Sequence, residues 1–125
     1  MSRILIIDDD PYIRKMLHKM LVNEGYAVAE ARDGKQALEI QAKEPADVII
    51  TDIIMPVKGG IETINEFKTH YPNAKIIAMS GGGFLDAEDH LSLPKRMGVT
   101  HTFTKPVERI KIIEAVRELL EQPVA

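Results

Sequence analysis

Along this chain, short wholly apolar runs give way to longer segments whose apolar residues recur every three or four positions. Ile4, Leu5, Ile6 and Ile7 are consecutive, the pattern of a strand covered on both faces. The helix predicted next is entered at Asp10-Pro11, with Asp suited to the cap and Pro to the first turn. Its residues Ile13, Met16, Leu17, Met20 and Leu21 share one face at helical spacing, and Gly25 is placed to stop it. A weaker strand is predicted around 26–31, then a turn at Asp33-Gly34 and a helix over about 35–43.

A second buried strand, 47–51, ends at Asp52, and the loop 53–60 leads to a helix carrying Ile61, Ile64 and Phe67. Another strand, 74–79, is closed by Ser80 and three glycines. The pattern is least regular over 84–97, where Pro94 is expected to break or kink any long helix. A strand over 99–103 follows. The last helix, about 107–121, shows Ile112, Ile113, Val116, Leu119 and Leu120 on one face and stops at Gln122-Pro123. Five βα units in sequence require crossover connections, so the chain is read as an α/β domain over 1–125, a parallel sheet with helices on both faces.

Composition narrows the reading without redirecting it. A length of 125 residues suits one domain with its own core, and 45% hydrophobic with 28% charged residues is ordinary for a soluble globular protein. Cysteine is absent, which excludes disulfides and thiolate metal sites and agrees with a reducing cytosol. The formal net charge is −3 and the basic residues are scattered, so no direct nucleic-acid partner is expected. The pairs Arg14-Lys15 and Lys95-Arg96 read as solvated helix faces. No apolar stretch is long enough to span a bilayer, and the apolar run after Arg3 is too short for a signal peptide. No membrane partner is expected, and a cytoplasmic location is.

In open parallel sheets, sites form outside the carboxyl ends of the strands. Asp8, Asp9 and Asp10 follow the first strand, Asp52 the third, Ser80 the fourth and Lys105 the fifth, just before Pro106. Carboxylates gathered this closely need a cation or a proton. Oxygen ligands without His or Cys favour Mg²⁺, and a fixed ammonium and a hydroxyl beside it suit a phosphoryl group. One Asp at a strand end is usually a cap, and Asp10 before Pro11 is read that way. The whole set, arriving from four strands, is not explained by capping.

These residues resemble the receiver domains of two-component response regulators over essentially the whole chain. The likeness is carried by Ile6-Ile7-Asp8-Asp9-Asp10-Pro11, Thr51-Asp52-Ile53-Ile54-Met55-Pro56 with Gly60, Met79-Ser80-Gly81 and Thr104-Lys105-Pro106. The resemblance implies a flavodoxin-like (βα)5 three-layer sandwich with a five-stranded parallel sheet in the order 2-1-3-4-5. It implies Asp52 as the phosphoacceptor, taking a phosphoryl group from the phosphohistidine of a sensor histidine kinase or a histidine phosphotransfer protein. Asp9 and Asp52 would bind Mg²⁺ directly with the backbone carbonyl of Ile54, and Asp8 through water. Lys105 would pair with the carboxylate and then with phosphoryl oxygens, Ser80 would move to the phosphoryl group, and the Lys105-Pro106 bond would be cis. The product is an interaction module, not an enzyme beyond its own phosphorylation and slow dephosphorylation. Its output partner is expected on the fourth helix, fifth strand and fifth helix.

Several positions depart from the family pattern. Thr102 stands three residues before Lys105, where Tyr or Phe is frequent, and becomes the switch candidate together with Ser80; Phe103 should face the other side of the sheet. Ile54 and Gly82 offer no side chain to polarise an attacking water, which bears on the dephosphorylation rate. Lys58 and Gly59 replace the usual Met and Asp, and the run Gly81-Gly82-Gly83 with Phe84 beyond it is slightly long, either a moving part or a passive insertion. His18, His70, His90 and His101 lack metal-ligand spacing and read as surface residues, the six methionines read as core, and the three tyrosines suggest no stacking platform. A monomer is expected, and Met1 with the short tail reads as a small complete protein. A phosphatase of the haloacid dehalogenase type is the rival reading, but Asp8-Asp9-Asp10-Pro11-Tyr12 matches only part of its motif and leaves Asp52 without a role. A degenerate receiver that binds without phosphorylation is the third; the intact Asp9, Asp52, Ser80 and Lys105 argue against it.

Overall fold

Every apolar run of the sequence becomes a strand, and each strand hands on to a helix. The computed structural model describes residues 1–55, 57–81 and 87–121, with residues 87–90 described by their backbone. The elements are β1 (Arg3–Ile7), α1 (Pro11–Asn23), β2 (Ala27–Ala31), α2 (Gly34–Lys43), β3 (Val48–Asp52), α3 (Gly60–His70), β4 (Lys75–Ser80), α4 (Ala87–Arg96), β5 (His101–Thr104) and α5 (Arg109–Glu121). All strand pairs are parallel, in the order β2-β1-β3-β4-β5. This is the flavodoxin-like arrangement.

Alternation along the strands divides the core into two layers. Ile4, Ile6, Val48, Ile50, Ile77 and Met79 meet Leu17 and Leu21 of α1 and Ile112, Val116 and Leu119 of α5. Leu5, Ile7, Ile49, Ile76 and Ala78 face the other way, onto Ala37 of α2, Ile64 and Phe67 of α3 and Leu91 of α4. Both faces of β1 and β3 are therefore buried, which is why those strands read as continuous apolar runs.

Helix ends follow their capping residues. Asp10 accepts a 2.9 Å bond from the Tyr12 amide at the start of α1, and Asp33 does the same for the Gln36 amide of α2. After α1, Gly25 (φ +94°) donates to Val22 and Tyr26 donates to Leu21; after α4, Gly98 (φ +91°) donates to Lys95 and Val99 to Pro94. Both pairs satisfy last-turn carbonyls in the Schellman pattern, which needs a left-handed residue.

Four sequence expectations change here. Of the break or kink expected at Pro94, the break does not occur, since the helix over 87–96 passes through it. Pro94 stands in the last turn, is buried and supplies the carbonyl that closes the cap, so only one helical bond is forgone. The fifth strand begins at His101, not Val99, because the Val99 amide is committed to that cap while its side chain is buried. The last helix starts at Arg109 instead of 107, with the Glu108 carbonyl accepting its first bonds. Met16 and Met1 are exposed rather than core, at 45% and 96%.

Loop 53–59 contains one strained residue. Val57 has φ +68° and is exposed, a left-handed conformation that a β-branched side chain resists. The loop is held downstream by the Lys58–Glu66 ion pair and by the Gly34 amide donating to the Lys58 carbonyl, which over-determine the backbone at Val57. Val57→Gly should raise stability by about 1 kcal/mol, the relief of strain exceeding the added unfolded-state freedom, and thermal unfolding of the two proteins measures it.

Candidate functional site

The carboxyl ends of β1, β3, β4 and β5 lie side by side because the ladder pairs Ile7 with Thr51, Asp52 with Met79 and Ser80 with Thr104. Asp8 follows β1, Asp52 closes β3, Ser80 closes β4 and Lys105 follows β5. Asp8 and Ser80 are fully buried, and Asp52 is 6% exposed. Asp9 is exposed.

One carboxylate oxygen from each of Asp8, Asp9 and Asp52 lies within 4.8 Å of the others. Lys105 Nζ donates to Asp8 Oδ2 at 2.7 Å and stands 3.4 Å from Asp52 Oδ2. The remaining oxygens are held by the backbone: Asp8 Oδ1 accepts from the Asp10 amide and Asp52 Oδ1 from the Ile53 amide, both at 2.9 Å. Lys105 therefore contacts Asp8 more closely than Asp52, a division the sequence did not suggest. Asp10 caps α1 and is not one of the three clustered acids.

Three carboxylates face one ammonium, and one of them, Asp52, is shifted chiefly by its burial. Burial, assisted by the neighbouring Asp8 charge, pushes the Asp52 carboxyl up to about 6, against the opposing pull of Lys105 and the Ile53 amide. Burial also works against the charge on Lys105, but the bond to Asp8 and the Asp52 and Asp8 charges outweigh it, and its ammonium lies above the ordinary lysine value. An acid cluster with two buried members, one exposed member and only oxygen donors fits a hard divalent cation such as Mg²⁺. Wider clefts open near the amino-terminal edge of the sheet, where Asp47, Asn73 and Ala74 contribute walls, away from this cluster.

The loop that follows Asp52 returns tightly beneath it. The Gly60 amide donates to the Ile53 carbonyl at 2.8 Å, and a Cβ on Gly60 would collide with the Asp52 carbonyl oxygen. No larger residue fits there without moving Asp52. On the other flank, the Lys105 amide donates to the Ser80 carbonyl at 2.8 Å, so the two strand ends are tied together. The Lys105-Pro106 peptide bond is cis. Ile54 is exposed in the loop two residues after Asp52.

Thr102 pairs with Ala78 and Phe103 with Met79, and Phe103 packs with the core layer of α1 and α5. Alternation puts Thr102 on the opposite face, that of α4. Of the histidines, His18 Nδ1 sits 2.8 Å from Glu30 Oε2, and His101 Nε2 lies 2.9 Å from Glu118 Oε2. His70 is exposed. Phe67 and Tyr71 form a tilted ring pair with centroids 5.6 Å apart, a contact inside the fold. The expectations placed on Pro56, Gly82, Gly83, Phe84, the His90 side chain and Gln122-Pro123 fall outside the described residues.

Arg14 corrects the sequence reading. It is not part of a solvated face: its side chain is 19% exposed, Nη1 donates to the Asp8 carbonyl at 2.7 Å, and Nε reaches Glu30 Oε1 at 3.3 Å. Sequence alone offered one cue, the position of Arg14 one turn into a helix that opens beside the acidic run.

Comparison with known proteins agrees with this geometry. The family model described as response regulator receiver domain matches residues 4–117. The chain is 35% identical to sporulation initiation phosphotransferase F of Bacillus subtilis, over 95% of this chain and 94% of that protein. It is 33% identical to the chemotaxis protein CheY of Thermotoga maritima, over 94% and 97% of the two chains. A response regulator receiver domain protein from Clostridium thermocellum superposes with a TM-score of 0.87 at 27% identity, covering 96% of this chain and 94% of that one. Among the described residues, no helix is long and apolar enough to cross a membrane.

The raised Asp52 value has a consequence for stability. The folded protein holds a proton that the unfolded chain releases near 3.8, so this contribution is fully present below 3.8 and is lost as pH rises through about 6. In metal-free buffer, Asp52→Asn should be the more stable protein above pH 6, by about 2–3 kcal/mol, with the difference vanishing near pH 4. Urea unfolding of both proteins across that range measures it; a constant difference would exclude this origin.

Proposed function

The chain belongs to the response regulator receiver family, the phosphorylatable signalling domain of two-component systems, and from that premise we propose that Asp52 is its phosphoacceptor. The donor is a phosphohistidine on a sensor histidine kinase or a histidine phosphotransfer protein. Residues 1–125 act as one receiver domain, a cytoplasmic monomer, and the phosphorylated state is read by a protein partner on the α4-β5-α5 face.

The observation that carries the reading is the division of the Asp52 carboxylate. Oδ1 is occupied by the Ile53 amide, while Oδ2 stands 3.4 Å from Lys105 Nζ, farther than the 2.7 Å at which that ammonium bonds Asp8. That oxygen is the nucleophile. In the transfer an O–P bond forms at Asp52 and the donor's N–P bond breaks, its electron pair returning to the imidazole nitrogen. Carboxylate is a weak nucleophile, so alignment and charge neutralisation carry the acceleration. Lys105, already charged and shared between Asp8 and Asp52, follows the negative charge onto the phosphoryl oxygens. Ser80, at the adjacent strand end, brings its hydroxyl to the same oxygens, and Thr102 adjusts with it.

Asp9, Asp52 and the Ile54 carbonyl would hold Mg²⁺, with Asp8 acting through water, and the bound ion would supply charge neutralisation for the carboxylates and the phosphoryl group. Asp8 has a second task in the protein itself, since it anchors Lys105 and the turn at Asp10 together.

Incubation with acetyl phosphate and Mg²⁺ should add one phosphoryl group by intact-mass measurement. Asp52→Asn, and the parent protein with Mg²⁺ chelated, should remain unlabelled. An unlabelled parent, or turnover of a generic phosphomonoester in many-fold excess over protein, would overturn the reading.

A further inference from the structure

The turn that carries Asp8 and Asp9 has to hold two acids side by side, and its restraints can be traced atom by atom. The Asp8 amide donates to Ala31 in the last rung between β1 and β2 at 3.1 Å. The Asp8 carbonyl lies beyond the end of β2 and is taken by Arg14 Nη1 at 2.7 Å. The Arg14 amide meanwhile donates to the Asp10 carbonyl at 3.1 Å. One residue of α1 thus grips the turn on both sides of Asp9, once through its guanidinium and once through its backbone.

The guanidinium is itself aimed. Glu30, on β2, receives Arg14 Nε on one carboxylate oxygen and faces His18 with the other. Arg14 has few other orientations, since 81% of its side-chain surface is covered. A planar fork that bonds a carbonyl and a carboxylate at once is a task for Arg and not for Lys, whose ammonium cannot reproduce the two directions.

From this arrangement we propose that Arg14, oriented by Glu30, is a positioning residue for the cation site, which sets the affinity of the Asp8-Asp9 turn for Mg²⁺. It touches neither the ion nor the phosphoryl group, so it acts through the placement of Asp8 and Asp9. The inference rests on the proposed Mg²⁺ site and extends it to a residue pair on α1 and β2.

The test is a Mg²⁺ titration without phosphodonor, by calorimetry or amide chemical shifts, of the parent, Arg14→Ala, Arg14→Lys and Glu30→Ala, each checked for folding by thermal unfolding. Partners of this kind alter metal affinity by roughly 10–100-fold, and the loss expected for Arg14→Ala is at the lower end, about tenfold. Arg14→Lys should recover only part of it, and Glu30→Ala should weaken binding less than Arg14→Ala. Labelling by acetyl phosphate should need more Mg²⁺ in these variants yet reach the parent's plateau rate. If Arg14→Ala does not fold, Glu30→Ala decides. Unchanged Mg²⁺ affinity in the folded variants, or a lower plateau with unchanged affinity, would overturn the proposal while leaving Asp52 phosphorylation intact. A parent that binds no Mg²⁺ would overturn both readings.

Discussion

Three carboxylates held within 4.8 Å of one another repel, and most of the architecture around the site can be understood as the means of holding them there. Lys105 offsets part of the repulsion by bonding Asp8 and standing beside Asp52. Backbone amides of Asp10 and Ile53 take the oxygens that Lys105 leaves. Burial adds a cost of its own, and it pushes the Asp52 carboxyl up to about 6 despite the pull of Lys105. A site left in that condition is prepared for additional positive charge, which a divalent cation would supply.

Rigidity comes from the sheet. β1 and β3 are covered on both faces, and their ends are aligned by ladder hydrogen bonds, so neither Asp8 nor Asp52 can retreat from the other. The segments beyond the strand ends are secured in different ways. The Asp8-Asp10 turn is gripped by Arg14, and the loop after Asp52 is folded back on Gly60 and tied to α2 and α3 through Lys58. Val57 carries a strained backbone within that second segment. The two loops that bear the acids are therefore restrained from opposite layers of the sandwich, one by α1 and β2, the other by α2 and α3.

The fold was largely legible in the sequence because its signals are local. Apolar runs, helical spacing, Asp10 before Pro11 and Gly25 after α1 each depend on neighbours within a few residues. Where the reading slipped, a longer-range competition was responsible. The helical register continued through Pro94 because burial and the Gly98 cap outweigh one absent amide bond, and that same cap removed Val99 from the strand. Met16 lies at the right spacing for a core position but at the edge of the α1 stripe, where it stays exposed.

Sequence by itself determined which residues reach the sheet edge, since a parallel sheet must deliver its strand ends to one side and Asp8, Asp9, Asp52, Ser80 and Lys105 all close or follow strands. Only the tertiary structure decided how the charges are shared among them. That Lys105 bonds Asp8 before Asp52, that burial raises the Asp52 carboxyl, and that Arg14 turns inward to the Asp8 carbonyl all depend on contacts between residues far apart in the chain. The reason is physical: strand order and strand ends follow from local pattern and chain connectivity, whereas hydrogen-bond direction and desolvation depend on atomic positions that exist only once α1, β2 and the five strands have packed.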